Sequence, residues 1–354
     1  MISLDDYDYH LPNALLAKAP VSPRDAARLF VYDTQIDEVF FDTFLNIAKY
    51  LPKRSLLVFN NTKVIPARLW LNKETGGKIE VLLMMNEYRP GDILIKGIVD
   101  RKILPGAKLY FKNRAHLEVI KQEEQFFFFK PSISMKMFSK LLKKEGVTPI
   151  PPYIKRSNIP EHDLRQKYQS ILAKYPASIA APTASLHFTN RLLAKLEHRE
   201  IKRTEITLHV GAGTFAPVDE KNIREKKLFT EPYDISHNSA QAINRAKAAG
   251  IPIIAVGTTA MRTLESAAHV NSKTRTWNVA SGSRSTNIFI YPPHKFTIAD
   301  GLITNFHVPC SSLMLLVDAL LKHKKAKRDI LALYDIAISE KFRFYSFGDG
   351  MLII

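Results

Sequence analysis

The sequence predicts a layered α/β domain into which a small β-barrel is inserted. Residues 65–130 contain short apolar runs separated by glycine and proline turns, and from about residue 134 strands alternate with helices. The first pattern is typical of a small closed or Greek-key barrel, and the second of an α/β sheet with helices on its faces. We therefore expect an α/β domain made of residues 1–64 and 151–354, with the barrel domain at 65–150.

The predicted barrel strands are divided by the turns Gly76-Gly77, Pro90-Gly91 and Pro105-Gly106. The strands are expected at Ile79–Leu83, Ile93–Ile95, Ala107–Phe111, Leu117–Ile120 and Phe126–Phe129. Side chains alternate along a strand, so only half of the phenylalanine run would lie on any one face. That run therefore predicts a core strand and not a platform for stacking bases.

The α/β domain should contain strands that end at glycines or lead directly into helices. The predicted strands are Leu56–Phe59, Glu205–Val210, Ile251–Val256, Leu302–Thr304 and Arg343–Phe347, and the predicted helices are Met135–Glu145, Ser239–Ala249, Ala260–Ala268, Ser311–Lys322 and Asp329–Lys341. Ligands of open α/β sheets bind outside the carboxyl ends of strands. The loops after these strands are therefore the places where a site is expected.

Charge is the most informative bulk property. The chain has 354 residues, with 51 Lys and Arg against 34 Asp and Glu, a net charge of +17. Such an excess suits a polyanion, because each neutralised phosphate releases counterions. A solvated basic surface is the alternative, and an anionic membrane a weaker one. No apolar run approaches the ~20 residues of a membrane helix, and the N-terminus does not resemble a signal peptide, so we expect a cytoplasmic protein.

The cysteine and histidine content argues against a catalytic metal. The single cysteine, Cys310, excludes an internal disulfide and a thiolate zinc site. Cys310 is more simply interpreted as a small residue at the start of a helix than as a nucleophile. No His-Glu-x-x-His motif or ligand-spaced histidine pair is present.

The clearest candidate loop is Gly257-Thr258-Thr259, between a predicted strand and a helix. Glycine allows a ligand to approach the backbone, and the free amides of a helix start favour anions or polar groups. Arg262 and Glu265 lie three residues apart and share one face of that helix. An ordinary capped helix with a surface ion pair is the alternative.

Three further polar loops each carry one histidine. They contribute His187 with Pro182, Thr183 and Phe188; His209 with Gly211, Gly213, Thr214 and Phe215; and His307 with Asn305. The glycine-rich loop is not a dinucleotide fingerprint, because Pro217 interrupts any helix that would follow it. A single histidine is more often structural, but three such loops together favour proton transfer or hydrogen bonding to a ligand.

Two other segments are candidates for recognition. Asn60 and Arg68 lie where the chain passes into the barrel, as polar recognition residues or as part of a hinge. A basic run between two helices contains Lys324, Lys325, Lys327 and Arg328. The run is either a solvated loop or a contact with tRNA or other phosphates.

At these same segments the sequence resembles the S-adenosylmethionine:tRNA ribosyltransferase-isomerases of queuosine biosynthesis. The matching motifs are Arg24-Asp25 with Ala27–Leu29, Asn61–Arg68, Gly76–Leu82, Pro151–Ile154, Tyr168-Gln169, Ala180–Thr183 with Leu186–Phe188, Thr207–Phe215, Ala255–Thr259, Arg262 with Leu264–Ser266, Thr304–His307, and Arg343–Ser346 with Gly348-Asp349. Such a long ordered set is specific to that family.

The sequence departs from the family pattern at several positions. Ser185 stands where the family usually has glycine, Pro293 replaces a glycine and Gly350 an alanine. Lys226–Glu231 replaces a His-x-Met-His-Ser-Glu-like stretch, so that only Glu231 matches. A catalytic role for histidines in that stretch is therefore not expected in this chain.

The resemblance implies the reaction, the partners and further site residues. The enzyme would transfer and isomerise the ribosyl group of S-adenosylmethionine onto 7-aminomethyl-7-deazaguanine at the tRNA wobble position, giving epoxyqueuosine, adenine and methionine. S-adenosylmethionine would be a consumed co-substrate, with no permanently bound cofactor, and the protein a monomer. The implied catalytic set is His187, His209 and His307, with Glu231 and Asp349 as carboxylate alternatives, and Lys78 and Glu80 join the substrate-binding candidates.

Two other functions remain open from the sequence. An RNA methyltransferase would use the same co-substrate, but it usually has a glycine-rich first strand, turn and helix, which we do not find. A non-catalytic RNA-binding protein would use only the charge and the barrel. Analysis of the reaction products distinguishes a methyltransferase, which forms S-adenosylhomocysteine, from a ribosyltransferase-isomerase, which releases adenine and methionine. Binding of S-adenosylmethionine would count against a non-catalytic RNA-binding protein.

Overall fold

The computed structural model describes residues 3–151, 153–154, 159–211, 213, 218–272 and 274–354. The first part of the chain contains β1 (Arg28–Asp33), β2 (Glu38–Thr43), β3 (Leu56–Asn60) and β4 (Thr62–Val64). The barrel strands follow as β5 (Arg68–Lys73), β6 (Lys78–Leu83), β7 (Ile95–Val99), β8 (Lys108–Tyr110), β9 (His116–Glu123) and β10 (Phe126–Pro131).

The remaining chain alternates helices with strands. The elements up to the middle of the sheet are α1 (Met135–Glu145), α2 (Glu161–Lys167), β11 (Tyr175–Ser178), α3 (Asn190–His198), β12 (Lys202–Leu208), α4 (Glu220–Glu225), β13 (Lys227–Ile235), α5 (His237–Ala248) and β14 (Ile253–Val256). They are followed by α6 (Thr258–Ala267), β15 (Ala268–Val270), β16 (Trp277–Val279), β17 (Gly282–Ile288), β18 (Gly301–Asn305), α7 (Ser312–His323), α8 (Ile330–Ser339) and β19 (Gly350–Ile353).

Within the described residues, nine strands form one mixed sheet in the order β17-β13-β12-β3-β14-β18-β19-β1-β2. Alternate side chains of its central strands enter two separate cores. Leu56 and Val58 of β3 pack in the core that includes residues of α5 to α8, whereas Leu57 and Phe59 pack in the core that includes α3. Both faces of the sheet are therefore covered, which confirms the predicted layered α/β fold.

The strands β12, β3, β14 and β18 run parallel to one another in the middle of this sheet. Their carboxyl ends consequently meet at one edge, which we call the strand-end edge. The loops after Asn60, Leu208, Val256 and Asn305 all start there. Ligands of such sheets bind at this edge.

The inserted domain is a closed barrel in the order β10-β7-β6-β5-β8-β9. Phe127 and Phe129 of β10 are buried with their rings stacked 6.4 Å apart, whereas Phe128 is only half-buried. The predicted core strand is thus confirmed. Helix α1 packs against the barrel through Phe138, whose ring meets that of Phe111 edge-on. The barrel strands lie inside the predicted limits 65–150, and the limits themselves stay a prediction.

The predicted strand Arg343–Phe347 is wrong. This segment is a turn in which Tyr345 has a φ of +71° and the amide of Gly348 donates to the carbonyl of Tyr345. The carboxylate of Asp349 stabilises the turn by accepting from the amide and the guanidinium of Arg343. The final strand starts later, at Gly350, and pairs with β1 and β18.

Other predicted element ends are shifted by a few residues. The expected strand Ile93–Ile95 begins only at Ile95, after a turn in which the amide of Asp92 donates to the carbonyl of Arg89. Strands β1, β13 and β17 had no counterpart in the sequence prediction. No helix in the described ranges is long and apolar enough to cross a membrane.

Candidate functional site

Two adjoining cavities lie at the strand-end edge. The strand-end cavity has a volume of about 140 Å³ and is lined by Pro151, Tyr153, Tyr168, Ala181, Pro182, Thr183, Ala184, Val210, Gly257, Thr258, Thr259, Arg262, Thr304, Asn305, Phe306, His307, Val308, Leu313, Tyr345 and Ser346. The α7 cavity has a volume of about 380 Å³ and is lined by Gly213, Val218, Leu228, Phe229, Glu231, Arg262, Ile290, Val308, Pro309, Cys310, Ser311, Ser312, Leu313 and Leu316.

The two cavities share Arg262, Val308 and Leu313 as walls. Sites for drug-sized ligands usually occupy about 300–1,000 Å³. The strand-end cavity is therefore small for a whole nucleoside derivative, and we treat the two cavities as one site divided by Arg262.

The start of α6 forms one wall of this site. Gly257 precedes the helix with a φ of +92°, a backbone conformation that only glycine adopts without strain. Thr258 and Thr259 then begin the helix and line the strand-end cavity. The side-chain amide of Asn60 donates to Thr259 Oγ1 and to the carbonyl of Leu208. Asn60 does not line the cavity itself but joins β3, β12 and α6 behind it.

Arg262 lies one helical turn beyond Thr258 and is 8% exposed. Its Nη1 donates to Oε2 of Glu231, whose other oxygen accepts from the amide of Gly211 at 2.8 Å. Glu231 is 2% exposed, so this is a buried ion pair. The Nε and Nη2 atoms of Arg262 have no hydrogen-bond partner among the described residues. Gly211 positions Glu231, and Gly213 contributes to the α7 cavity.

Asn305 presents an unused oxygen at the other end of the site. Its Nδ2 donates to the carbonyl of Asp349 at 3.3 Å and to Nε2 of His187 at 3.1 Å. The carbonyl can only accept, which fixes the orientation of the amide. Oδ1 of Asn305 has no partner in the described part of the chain, although the residue is 2% exposed.

His187 acts behind Asn305 and does not line either cavity. Its ring packs on Phe44 with centroids 4.7 Å apart. Burial lowers the pKa of His187 to about 4, so the ring is neutral near pH 7. Because Nε2 accepts from Asn305, the ring proton must be on Nδ1. His187 is therefore a positioning residue.

His307 is the member of the predicted histidine set that lines the strand-end cavity. Its Nε2 lies 2.9 Å from Thr304 Oγ1, and its backbone amide donates to the hydroxyl of Tyr334. Burial lowers the pKa of His307 to about 3. A neutral imidazole is thus available in the cavity across the physiological pH range.

His209 faces a different cavity. Its neighbour Val210 lines the strand-end cavity, whereas the histidine lines an open cavity of about 420 Å³ with Arg89, Asp234 and Arg284. Its Nδ1 lies 2.7 Å from Thr62 Oγ1, and burial lowers its pKa. The structure therefore does not bring the three histidines together.

Two of the predicted site residues, Asp349 and Glu265, use their carboxylates to stabilise loops. Asp349 is 1% exposed and accepts from the guanidinium of Arg343 and the amide of Arg28. Glu265 accepts from the backbone amides of residues 297, 298 and 299 at 2.8 to 3.1 Å. Neither lines the strand-end cavity or the α7 cavity. Glu265 is occupied by these amides, so the pairing of Arg262 with Glu265 suggested by their spacing does not occur; Arg262 pairs with Glu231.

The remaining predicted substrate contacts lie in the barrel, in the core or outside the described residues. Arg68 donates to the carbonyl of Ile150 and forms an ion pair with Glu80 at 2.9 Å, which joins β5 to β6 and to the end of the predicted barrel domain. Lys78 is exposed on β6, and Phe188 is a core residue packed on Phe44 and Phe59. Thr214 and Phe215 lie outside the described residues.

The basic run lies at the edge of the sheet opposite to the cavities. Lys324 donates to the carbonyl of Asp300, which immediately precedes β18, and Arg328 pairs with Asp37. Asp300 and Asn305 are at opposite ends of β18, about 15 Å apart at the usual rise of a strand. Lys325 and Lys327 are exposed. The run does not line either cavity.

Sequence reasoning missed an aromatic wall of the strand-end cavity. The hydroxyl of Tyr153 lies 2.6 Å from Ser346 Oγ, and the rings of Tyr153 and Tyr345 are 4.8 Å apart. Tyr168 completes the wall, and burial raises the pKa of Tyr153 to about 12. These residues belonged to the quoted motifs, but no local pattern indicated that segments 153, 168 and 345 would meet.

Comparisons with known proteins extend over the whole chain. Residues 4–353 match the family described as queuosine biosynthesis proteins. The S-adenosylmethionine:tRNA ribosyltransferase-isomerase of Carboxydothermus hydrogenoformans is 43% identical over 356 residues, covering 100% of both chains. The enzyme of the same name from Fusobacterium nucleatum is 41% identical, covering 99% of this chain and 96% of its own.

A solved structure is also similar. The crystal structure of S-adenosylmethionine tRNA ribosyltransferase from Thermotoga maritima has 29% sequence identity and a TM-score of 0.52, covering 99% of this chain and 100% of its own. A layered sheet with a divided cavity at its strand ends, lined by residues that carry unpartnered polar groups, is the arrangement typical of proteins that bind a small polar ligand. The chain belongs to the family of queuosine biosynthesis proteins.

Proposed function

We propose that the protein transfers and isomerises the ribosyl group of S-adenosylmethionine onto 7-aminomethyl-7-deazaguanine at the wobble position of tRNA. The products are epoxyqueuosine in tRNA, adenine and methionine. Full-length similarity to enzymes named for the ribosyl transfer supports the proposal. The net charge of +17 suits a tRNA substrate.

One structural observation carries the proposal. Motifs that are far apart in the sequence and that carry the family resemblance converge on the strand-end cavity. They provide Tyr153, Pro182 and Thr183, Gly257 to Thr259, Asn305 and His307, and Tyr345 and Ser346. Residues that merely stabilised the fold would have no reason to line one cavity.

The chemistry needs a base, a donor toward the departing adenine and shielding from water. The sulfonium acidifies the C5′ protons of the ribose, and loss of one of them starts the release of adenine. The aminomethyl nitrogen then attacks the opened sugar, and a sugar oxygen expels methionine as the epoxide closes. We assign proton transfer or polarisation to His307, the member of the predicted histidine set that lines the cavity, while Glu231 holds Arg262.

The proposal is tested by the products of one incubation. Purified protein, S-adenosylmethionine and tRNA carrying the aminomethyl base should release free adenine in proportion to modified tRNA. Formation of S-adenosylhomocysteine without adenine would instead identify an RNA methyltransferase. Binding of tRNA with neither product, and no affinity for S-adenosylmethionine, would identify a non-catalytic RNA-binding protein.

We further propose that S-adenosylmethionine is consumed and that no permanently bound cofactor or metal takes part. The single cysteine and the lack of ligand-spaced histidines in the sequence motivate this proposal. Adenine release should continue at the same rate in EDTA, provided that tRNA folding is preserved by a polyamine. Loss of activity in EDTA that zinc alone restores would contradict it. A cytoplasmic monomer is the state proposed for the enzyme.

A further inference from the structure

Arg262 lines both cavities, and one edge of its guanidinium is buried without a hydrogen-bond partner among the described residues. Nη1 is used by Glu231, whereas Nε and Nη2 have no partner among the described residues although the side chain is buried. Nε and Nη2 lie on the same side of the planar guanidinium and present two parallel N–H groups. A buried donor without a partner is costly, so this edge is expected to meet an acceptor in the ligand complex.

Two parallel donors match the two oxygens of a carboxylate or a phosphate. The surroundings favour the carboxylate. The α7 cavity is walled by aliphatic and aromatic side chains, namely Val218, Leu228, Phe229, Ile290, Leu313 and Leu316. Such walls suit a short aliphatic chain that ends in a carboxylate better than a strongly hydrated phosphodiester.

The second unpartnered polar group, Oδ1 of Asn305, is a hydrogen-bond acceptor, whereas the free edge of Arg262 consists of donors. Asn305 lines the strand-end cavity, its Oδ1 is buried without a partner among the described residues, and the orientation of its amide is fixed by the carbonyl of Asp349. This oxygen can only accept, so it requires an N–H or O–H group of the ligand. The site thus has two unpartnered donors on Arg262, which lines both cavities, and one unpartnered acceptor on Asn305, which lines the strand-end cavity.

We propose that Arg262 binds the carboxylate of the methionyl arm of S-adenosylmethionine, with that arm in the α7 cavity. Asn305 Oδ1 then accepts a hydrogen bond from the adenosyl part, in the strand-end cavity. Glu231 is a positioning residue that keeps the free edge of Arg262 toward the ligand. The identity of the ligand rests on the proposed function, whereas the assignment of the carboxylate rests on the free edge.

The test compares two ligands on wild-type protein by calorimetry: S-adenosylmethionine and its decarboxylated analogue. We expect the wild type to bind S-adenosylmethionine at least tenfold more tightly. Arg262→Gln should lose this discrimination and bind both ligands weakly, and Arg262→Lys, with its point charge and no planar fork, should keep only part of it. Arg101→Gln removes an exposed cation of the barrel and is the matched control, which should discriminate like the wild type.

Equal affinity of the wild type for both ligands would overturn the inference, and so would full discrimination by folded Arg262→Gln. If Arg262→Gln does not fold, the wild-type comparison can still overturn the inference, and reduced discrimination by folded Arg262→Lys would support it. Release of adenine without discrimination would refute this inference and leave the proposed function standing. Discrimination without adenine or modified tRNA would support the carboxylate assignment and refute the proposed function.

Discussion

Burial of uncharged histidines has a cost that depends on pH. The folded protein lowers the pKa of His187 to about 4 and that of His307 to about 3, against an ordinary value near 6.5. The unfolded chain therefore binds more protons than the native state between those values. Stability is fully present above about pH 6.5 and is lost as the pH falls toward the folded pKa values.

We predict that the free energy of unfolding falls by up to about 1.4 kcal/mol per pH unit for each of these histidines as the pH falls below about 6. Urea unfolding at pH 7, 6 and 5 measures this slope. His187→Asn should show a smaller slope than the wild type, and His162→Asn, which changes an exposed ring, should keep the wild-type slope. An unchanged slope in His187→Asn would show that this ring is not the group responsible.

The three predicted histidines also differ in their expected effect on turnover. His307→Gln should lower kcat by at least ~10-fold, because proton transfer by a positioned side chain contributes about 10² to 10⁴. His209→Gln should have a smaller effect, since its ring faces another cavity. Steady-state adenine release with saturating tRNA measures both variants. A larger loss of kcat in His209→Gln would contradict the assignment.

The sequence predicted the positions of the polar loops but not the direction of their side chains. His209 and His307 lie just beyond β12 and β18, but alternation along the chain after β12 sends Val210 into the cavity and His209 out of it. A shift of one residue decides which face a side chain occupies. Glu231 was predicted only through the resemblance, because its partner Arg262 is 31 residues away and no local spacing connects them.

Elements that end at the strand-end edge depend on backbone geometry as well as side chains. Gly257 at +92° and Gly282 at +106° both have positive φ, and no atom lies within 3.4 Å of a Cβ added at either position. Alanine at each position should therefore cost a similar ~1–3 kcal/mol of stability through backbone strain. The two glycines differ in location, since only Gly257 lines the strand-end cavity.

We predict that Gly257→Ala raises the Kd for S-adenosylmethionine or lowers kcat by at least ~10-fold, since a displaced first turn of α6 misplaces substrate contacts. Gly282→Ala should lose comparable stability in urea while retaining wild-type binding and turnover. Equal loss of activity in both variants would mean that general destabilisation, and not the geometry of α6, explains the effect.

Elements with strong local signals were predicted well, and elements set by distant contacts were not. Helix α1 was predicted with its observed limits, because an apolar face, a serine cap and a following glycine mark it. The segment Arg343–Phe347 has the composition of a strand, yet the carboxylate of Asp349 holds it in a turn. This competing interaction is not visible in the residue pattern.

The whole molecule presents its positive charge on more than one surface. In the proposed function the wobble base has to reach the strand-end edge, so we expect nearby phosphates to contact exposed cations there. Lys63 lies two residues after Asn61, and the amide of Lys174 donates to the carbonyl of Asn61; both lysines are exposed. Arg89 is also exposed and lines the open cavity that contains His209. The run Lys324 to Arg328 lies at the opposite edge, where Lys324 and Arg328 already have acidic or carbonyl partners.

We predict that the triple variant Lys63→Ala, Lys174→Ala, Arg89→Ala weakens tRNA binding more than Lys324→Ala, Lys325→Ala, Lys327→Ala. Its slope of log Kd against log salt should also fall, by about 0.7 for each lost single-strand phosphate contact. Filter binding at several salt concentrations measures both quantities. A larger effect of the second variant would place the anticodon arm across the opposite edge and confirm the tRNA contact predicted for that run.

The overall architecture could be predicted because two residue patterns are distinct: closely spaced short strands with glycine and proline turns in the barrel, and alternating strands and helices in the α/β domain. The order of the sheet could not, since β1 pairs with β19 across almost the full length of the chain. Such pairings depend on loop closure and on the complementarity of distant residues, neither of which appears in a local window. The divided cavity depends on the same long-range contacts.

The central claim, transfer of the ribosyl group itself, is tested most directly by tracing label. S-adenosylmethionine carrying ¹³C throughout its ribose is incubated with the protein and tRNA that contains the aminomethyl base, and the wobble nucleoside is analysed by mass spectrometry. We predict that all five labelled ribose carbons appear in the cyclic substituent of that nucleoside and that the released adenine is unlabelled. Ribose label that stays in S-adenosylhomocysteine, while the methyl carbon enters tRNA, would contradict it.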